Sequence, residues 1–179
     1  MASVKCNVMI LGVTLVLLAG CGGGESALQP AQDGDSGPGA PAGSRFLLAA
    51  EPADAQGVRE VREGAADGQH VVVVGRIGGE TTPWVEGLAA FSMVDASLPP
   101  CNELECDKCP TPWDYCCEAD LGKARTAVRV VDEEGKIVAT SAKELLNVGE
   151  LQTVVVEGTA KRDEAGNVTV LATGVYVRP

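Results

Sequence analysis

His70-Val71-Val72-Val73-Val74-Gly75-Arg76-Ile77-Gly78-Gly79 is the stretch on which the fold turns. Consecutive valines favour extended backbone because branching at Cβ restricts χ1 and suits a pleated surface. The glycines that follow allow a sharp bend, so the run reads as a strand buried on both faces and then turned. Beyond a loop containing Thr82-Pro83-Trp84, Ala89-Ala90-Phe91-Ser92-Met93-Val94-Asp95 reads as a second strand. In residues 124–131, Ala124, Thr126, Val128 and Val130 alternate with Arg125, Ala127, Arg129 and Val131, which predicts a half-exposed third strand. Asp132-Glu133-Glu134-Gly135 makes a tight turn with Gly135 suited to positive φ, and residues 136–139 pair back or continue. Ser141-Ala142-Lys143-Glu144 fits a capping box opening a short helix through Leu145 and Leu146, with Gly149 available to stop it. Residues 153–160 form a fourth strand, Asp163-Glu164-Ala165-Gly166-Asn167 a hairpin loop, and residues 168–177 a fifth strand broken by Gly174.

The order is three strands, one helix, two strands. Together with Val74-Gly75-Arg76-Ile77, Phe91, Val94-Asp95 and the passage from Leu146 to Gly149 into Val154-Val155-Val156-Glu157-Gly158-Thr159-Ala160, it resembles the OB-fold of nucleic-acid-binding barrels. The resemblance covers residues 69–177. It implies a mainly β chain: a five-stranded OB-like Greek-key barrel with one short helix plugging its end, a closure that removes aggregating edges. The departure is a Cys-rich insertion, residues 96–123, between strands two and three, where the family commonly has a short turn.

Upstream, Lys5 and the apolar residues 8–18 have the form of a secretory signal, too short to span a membrane. The run ends in Leu18-Ala19-Gly20-Cys21, which resembles the lipobox of bacterial lipoproteins. That likeness implies removal of residues 1–20 and acylation (palmitate-type chains) of Cys21, with more than one chain giving stable anchoring. Gly22 after the cysteine points, by analogy with lipoprotein sorting, to the outer membrane, facing the periplasm or the exterior. Residues 21–66 read as a lipid-anchored tether: 22–43 are rich in Gly, Pro, Ala, Ser and Asp and too poor in apolar surface to offset ordering entropy. Within it, Phe46-Leu47-Leu48 can dock on the domain and residues 56–65 suggest a short helix ending at Gly64. The OB-like domain is expected over residues 67–179. The combination of lipobox, tether, barrel and Pro112-Trp113-Asp114-Tyr115-Cys116-Cys117 also resembles planctomycete-type lipoproteins, a likeness that implies no activity.

The formal net charge of −11 and the absence of a clustered basic stretch argue against nucleic acid as a partner, and six aromatic residues leave few stacking platforms. A single histidine, His70, no Gly-x-Ser-x-Gly elbow and no phosphate loop exclude Ser-His hydrolysis and nucleotide chemistry. His70 itself reads as a rim residue.

Chemistry concentrates in Cys101, Cys106, Cys109, Cys116 and Cys117, interrupted by Pro110 and Pro112. Three readings compete. An exported domain permits structural disulfides. The Cys106-Asp-Lys-Cys109 spacing with Cys116 and Cys117 also suits a thiolate site for zinc or copper. Thiol redox chemistry is disfavoured, because prolines follow the pair where a helix would lower the thiol pKa. Trp84, Trp113 and Tyr115 form a candidate apolar patch for an envelope protein or a glycan. The expectation is a non-enzymatic binding or scaffolding lipoprotein of the cell envelope, with a metal-binding or redox protein as the alternative. Replacing Cys21→Ser should leave residues 1–20 attached and abolish membrane retention, checked by mass spectrometry and membrane fractionation; a wild-type chain recovered intact and soluble would refute the anchor.

Overall fold

The computed structural model describes residues 43–104 and 109–179. The signal, Cys21, nearly all of the Gly/Pro-rich tether and Cys106 lie outside the described residues. The strands, in chain order, are β1 (Gln56–Gly57), β2 (His70–Ile77), β3 (Ala90–Asp95), β4 (Arg125–Val130), β5 (Thr153–Arg162) and β6 (Val168–Val177). They pair in the order β1-β2-β3-β4-β6-β5, and β5 returns to β2 along His70↔Thr159 to Arg76↔Thr153. Strands β2 to β6 therefore close a five-stranded barrel. Within it every pairing is antiparallel except β4 with β6, which gives the Greek-key strand order of an OB-like barrel.

The alternation expected for the third strand is present: Thr126, Val128 and Val130 point inward on β4, and Thr126 donates its hydroxyl to the Val168 carbonyl at 2.7 Å. The valine run of β2 departs from expectation. Val71, Val73 and Ile77 are buried, whereas Val72 and Val74 are only half-buried, because a closed barrel seals its inner face and leaves the outer one partly wet. At Gly174 the β5–β6 ladder is interrupted by a bulge, with Thr173 unpaired between Glu157↔Gly174 and Gly158↔Ala172, but β6 continues through it to Val177; a side chain at Gly174 would collide with Leu48, so the glycine makes room for the segment lying across it.

That segment precedes residue 67. A 3₁₀ turn at Ser44–Phe46 places Phe46 in the core, and Leu48 donates its N–H to the Val175 carbonyl at 2.9 Å. Helix α1 (Val58–Gly64) buries Val58 and Val61 against the same core. Helix α2 (Leu121–Ala124) leads into β4, and α3 (Ala142–Leu146), between β4 and β5, buries Ala142, Leu145 and Leu146. Ser141 occupies the N-cap position of α3 without a side-chain hydrogen bond, and the helix ends on Asn147 at φ 51° before Gly149 is reached. Five residues hold too few helical bonds to stand alone, so burial of one face carries α3, and the left-handed Asn147, whose N–H donates to the Lys143 carbonyl, closes it.

One carboxylate ties the upstream segment to the barrel. Asp95, buried at the end of β3, accepts the Arg59 backbone N–H (2.9 Å), the Ser97 N–H (3.0 Å) and the Ser97 hydroxyl (2.7 Å). It caps α1 from outside, since Gly57 at the N-cap position makes no side-chain bond. Burial pushes the Asp95 pKa up, but these hydrogen bonds outweigh it and hold the carboxyl below its ordinary value. The folded pKa is the lower one, so the associated stability is present above the ordinary Asp range near ~3.9 and is lost as pH falls through the folded value. Asp95→Ala should cost about 1–3 kcal/mol in denaturant unfolding at neutral pH and should flatten the acid side of the stability profile; an unchanged profile would remove Asp95 from this role.

Candidate metal centre

The insertion leaves β3 at Asp95 and returns at Arg125, beside Val94 across the β3–β4 pair. Its mount is a second, smaller core in which Tyr115 is buried with Val94, Leu98 and Ala124, with Leu121 and Leu151 packed alongside. Tyr115 adopts φ 55°, a left-handed turn that follows the 3₁₀ segment Pro112–Asp114. The Trp113 carbonyl accepts the Gly79 N–H at 2.7 Å. A Cβ at Gly78 would lie 2.5 Å from that carbonyl oxygen, and Gly79 has φ 89°. The two glycines closing the valine strand thus serve as the seat for the cysteine loop.

On this mount three sulfurs and a carboxylate converge. Ligand atoms of Cys101, Cys109, Asp114 and Cys116 all lie within 4.8 Å of one another. Cys116 Sγ is 3.8 Å from Cys101 Sγ and 3.9 Å from Cys109 Sγ, and Asp114 Oδ1 is 4.0 Å from Cys101 Sγ. Among the described residues Cys101, Cys109 and Cys116 are free thiols, their sulfurs standing well beyond the about 2.0 Å of a bonded pair. Zinc–thiolate bonds of about 2.3 Å at tetrahedral angles leave sulfurs about 3.8 Å apart. The group could therefore hold a metal ion. Cys117 Sγ adds another sulfur 3.9 Å from Cys116 Sγ, at the exposed rim, while Cys101 is buried.

Asp114 organises this corner. It accepts the Thr111 hydroxyl (2.7 Å) and the Cys116 backbone N–H (2.9 Å); burial opposes ionisation, but these bonds keep its carboxyl below the ordinary range. The anionic oxygen, followed by the surrounding thiols, pushes the Cys116 thiol far above its usual pKa. Burial also pushes Cys101 up, yet the Cys117 backbone N–H and the thiols of Cys116, Cys117 and Cys109 leave it lower than an ordinary cysteine. A cation at the centre would reverse the logic at Cys116, since coordination deprotonates a thiol outright.

Comparison with protein-family models and with curated protein sequences finds no match. The site is read from its own chemistry.

Of the other candidates, His70 is exposed and meets Glu157 at 3.2 Å, away from the sulfurs. Trp84 and Tyr115 lie in separate clusters: Trp84 packs on Phe91 at 6.0 Å and donates to Glu150 (2.7 Å), whereas Tyr115 belongs to the second core. Trp113 donates to the Thr81 carbonyl at 3.1 Å. Asp114 is the ligand candidate that cysteine spacing does not reveal; its one local signal is its place two residues before Cys116, where an Asx-type turn can form.

The Tyr115 hydroxyl is buried without a well-formed hydrogen bond, and burial raises its pKa although Arg76 nearby pulls the other way. The ring, rather than the hydroxyl, supplies the mount. Tyr115→Phe should be neutral or slightly stabilising, whereas Tyr115→Ala should cost about 3–5 kcal/mol. A melting-temperature comparison checks this, and equal losses in both variants would contradict it.

Proposed function

We propose that this chain is a non-enzymatic, envelope-anchored OB-like module whose cysteine loop is held in shape by one zinc ion. The observation that carries the reading is the convergence of Cys101, Cys109, Asp114 and Cys116 within 4.8 Å at sulfur spacings suited to a tetrahedral set. A hard carboxylate oxygen beside soft sulfurs favours zinc over copper(I), which prefers thiolates alone. Redox catalysis is disfavoured because Pro110 and Pro112 follow the cysteine pair where a helix N-terminus would activate a thiolate. The loop carries many charged residues and little apolar surface, so a bound metal supplies stability that burial does not. Anchoring through Cys21 rests on the lipobox-like Leu18-Ala19-Gly20-Cys21. In this reading the barrel presents the stiffened loop to an envelope protein or a glycan and handles no nucleic acid.

Native mass spectrometry of the purified full chain tests the metal directly. The expected result is one added zinc per chain, lost on acidification as the thiolates protonate, with Cys101→Ser or Cys116→Ser abolishing the added mass. Chelation should lower the melting temperature while far-ultraviolet circular dichroism stays that of a β-barrel. A mass lowered by two hydrogens per crosslink with no metal would replace zinc by disulfides. Copper in place of zinc, retained after exposure to equal concentrations of both, would change the ion and leave the site standing.

A further inference from the structure

Away from the cysteines, three guanidinium groups gather at one side of the barrel. Arg162 on β5 donates to the carbonyls of Ala65 (2.8 Å) and Arg62 (2.8 Å), and also to Gly166 (2.9 Å), which fixes it against the end of α1. Arg62 on α1 donates to the Arg125 carbonyl at 2.9 Å. Arg125 in turn donates to the Gly79 carbonyl at 2.8 Å and pairs with Glu80 at 2.9 Å. Among the described residues Arg62 has no carboxylate partner within ion-pair distance. Burial first, then the charges of Arg162 and Arg125, push its pKa below the ordinary arginine value, with Asp163 opposing weakly. In a chain of net charge −11, backbone carbonyls thus hold three arginines close together, with Glu80 paired to one of them.

The cluster borders a cavity. Arg62, Arg125, Ser92 and Thr169 line a hollow of about 200 Å³ on the outer face of the barrel, where β3, β4 and β6 run side by side at Ser92↔Ala127↔Thr169. Neither the Ser92 nor the Thr169 hydroxyl is committed to a hydrogen bond within the protein among the described residues. The one carboxylate in the lining, Glu80, is already paired with Arg125. The hollow thus offers positive charge from one side and neutral donors from the other. It is several times larger than the about 30 Å³ share of a liquid water.

We propose that this hollow binds a phosphate group, held by Arg62 and Arg125 with the hydroxyls of Ser92 and Thr169 completing its shell. Planar guanidinium forks suit bidentate contact with phosphate oxygens, and an anion relieves the mutual repulsion of the arginines. The acidic surface elsewhere does not forbid this, since exposed charges more than about 8 Å away are screened at physiological ionic strength. The phosphate can belong to a free phosphomonoester or to a lipid headgroup.

The test is isothermal titration of the full chain with inorganic phosphate, with glycerol phosphate and with phosphatidylglycerol vesicles, repeated on Arg62→Gln and Thr169→Val. Saturable binding of inorganic phosphate or glycerol phosphate, weakened roughly tenfold or more by Arg62→Gln, is expected. Thr169→Val leaves the backbone pairing of β6 with β4 and β5 in place and should weaken binding without changing the melting temperature. Backbone amide shifts on titration should centre on Ser92, Arg125 and Thr169. Binding confined to vesicles and lost in Arg62→Gln assigns the phosphate to a lipid. Absence of saturable binding to all three probes, or binding equal in wild type and Arg62→Gln, overturns the proposal.

Discussion

Three parts of the chain meet at the side chain of Asp95, and its hydrogen bonds tie them to one another. It closes β3, caps α1 through the Arg59 N–H and turns the chain at Ser97 into the cysteine insertion. The neighbouring edge explains why β3 stops there. β1 takes up the edge of β2 at Gln56↔Val73 and Gly57↔Val74, directly beyond the Gly75↔Asp95 pair, so a longer β3 would have no partner. Only glycine fits at position 57, because a Cβ there would stand 2.8 Å from the Asp95 carboxylate. The upstream segment, the barrel and the loop are joined by a handful of hydrogen bonds to one buried anion, and buried polar groups of this kind are costly when left half satisfied.

The cysteine loop solves a different problem. Its apolar content is concentrated in Leu98, Tyr115 and Leu121, enough to seat its base on Val94 and Leu151 but not to order its outer turns. Those turns are specified by polar contacts instead: Thr111 and Cys116 to Asp114, and Trp113 to both Gly79 and Thr81. The result sets Cys101 on the buried side and Cys116 on the exposed side of one group of sulfurs. A ligand set built this way has its inner half fixed by the barrel and its outer half fixed only by the loop.

Periodicity made the barrel legible. Inward and outward residues of β4 can be assigned from Thr126, Val128 and Val130 alone, and the turns at Gly135 and Gly166 follow from residues that accept positive φ. What periodicity does not report is how completely a second face is covered, hence the half-wet Val72 and Val74, or which of several helix-ending residues is used, hence Asn147 ahead of Gly149. Gly174 does mark an irregularity, a bulge in the β5–β6 ladder, but the side chain it accommodates, Leu48, is more than a hundred residues away in sequence. The cysteines were visible as a cluster by density, but Asp114 joins them through a turn geometry that spacing rules for thiols do not encode. Arg62, Arg125 and Arg162 are scattered along the chain and come together only once α1 lies across β4 and the end of β5. No linear pattern could have grouped them.

Val94 and Arg125 face each other across two hydrogen-bonded strands, so the whole insertion begins and ends beside the last rung of one ladder. Its length does not enter the geometry of the barrel. Strand order, shear and closure are the same whether that gap is bridged by a tight turn or by a cysteine-bearing loop, and loop-closure entropy grows only slowly with added residues. The barrel is in this sense a socket: the inserted piece can be shortened or replaced without re-pairing any strand, while Gly78, Gly79 and Leu151 form the seat for what is held there.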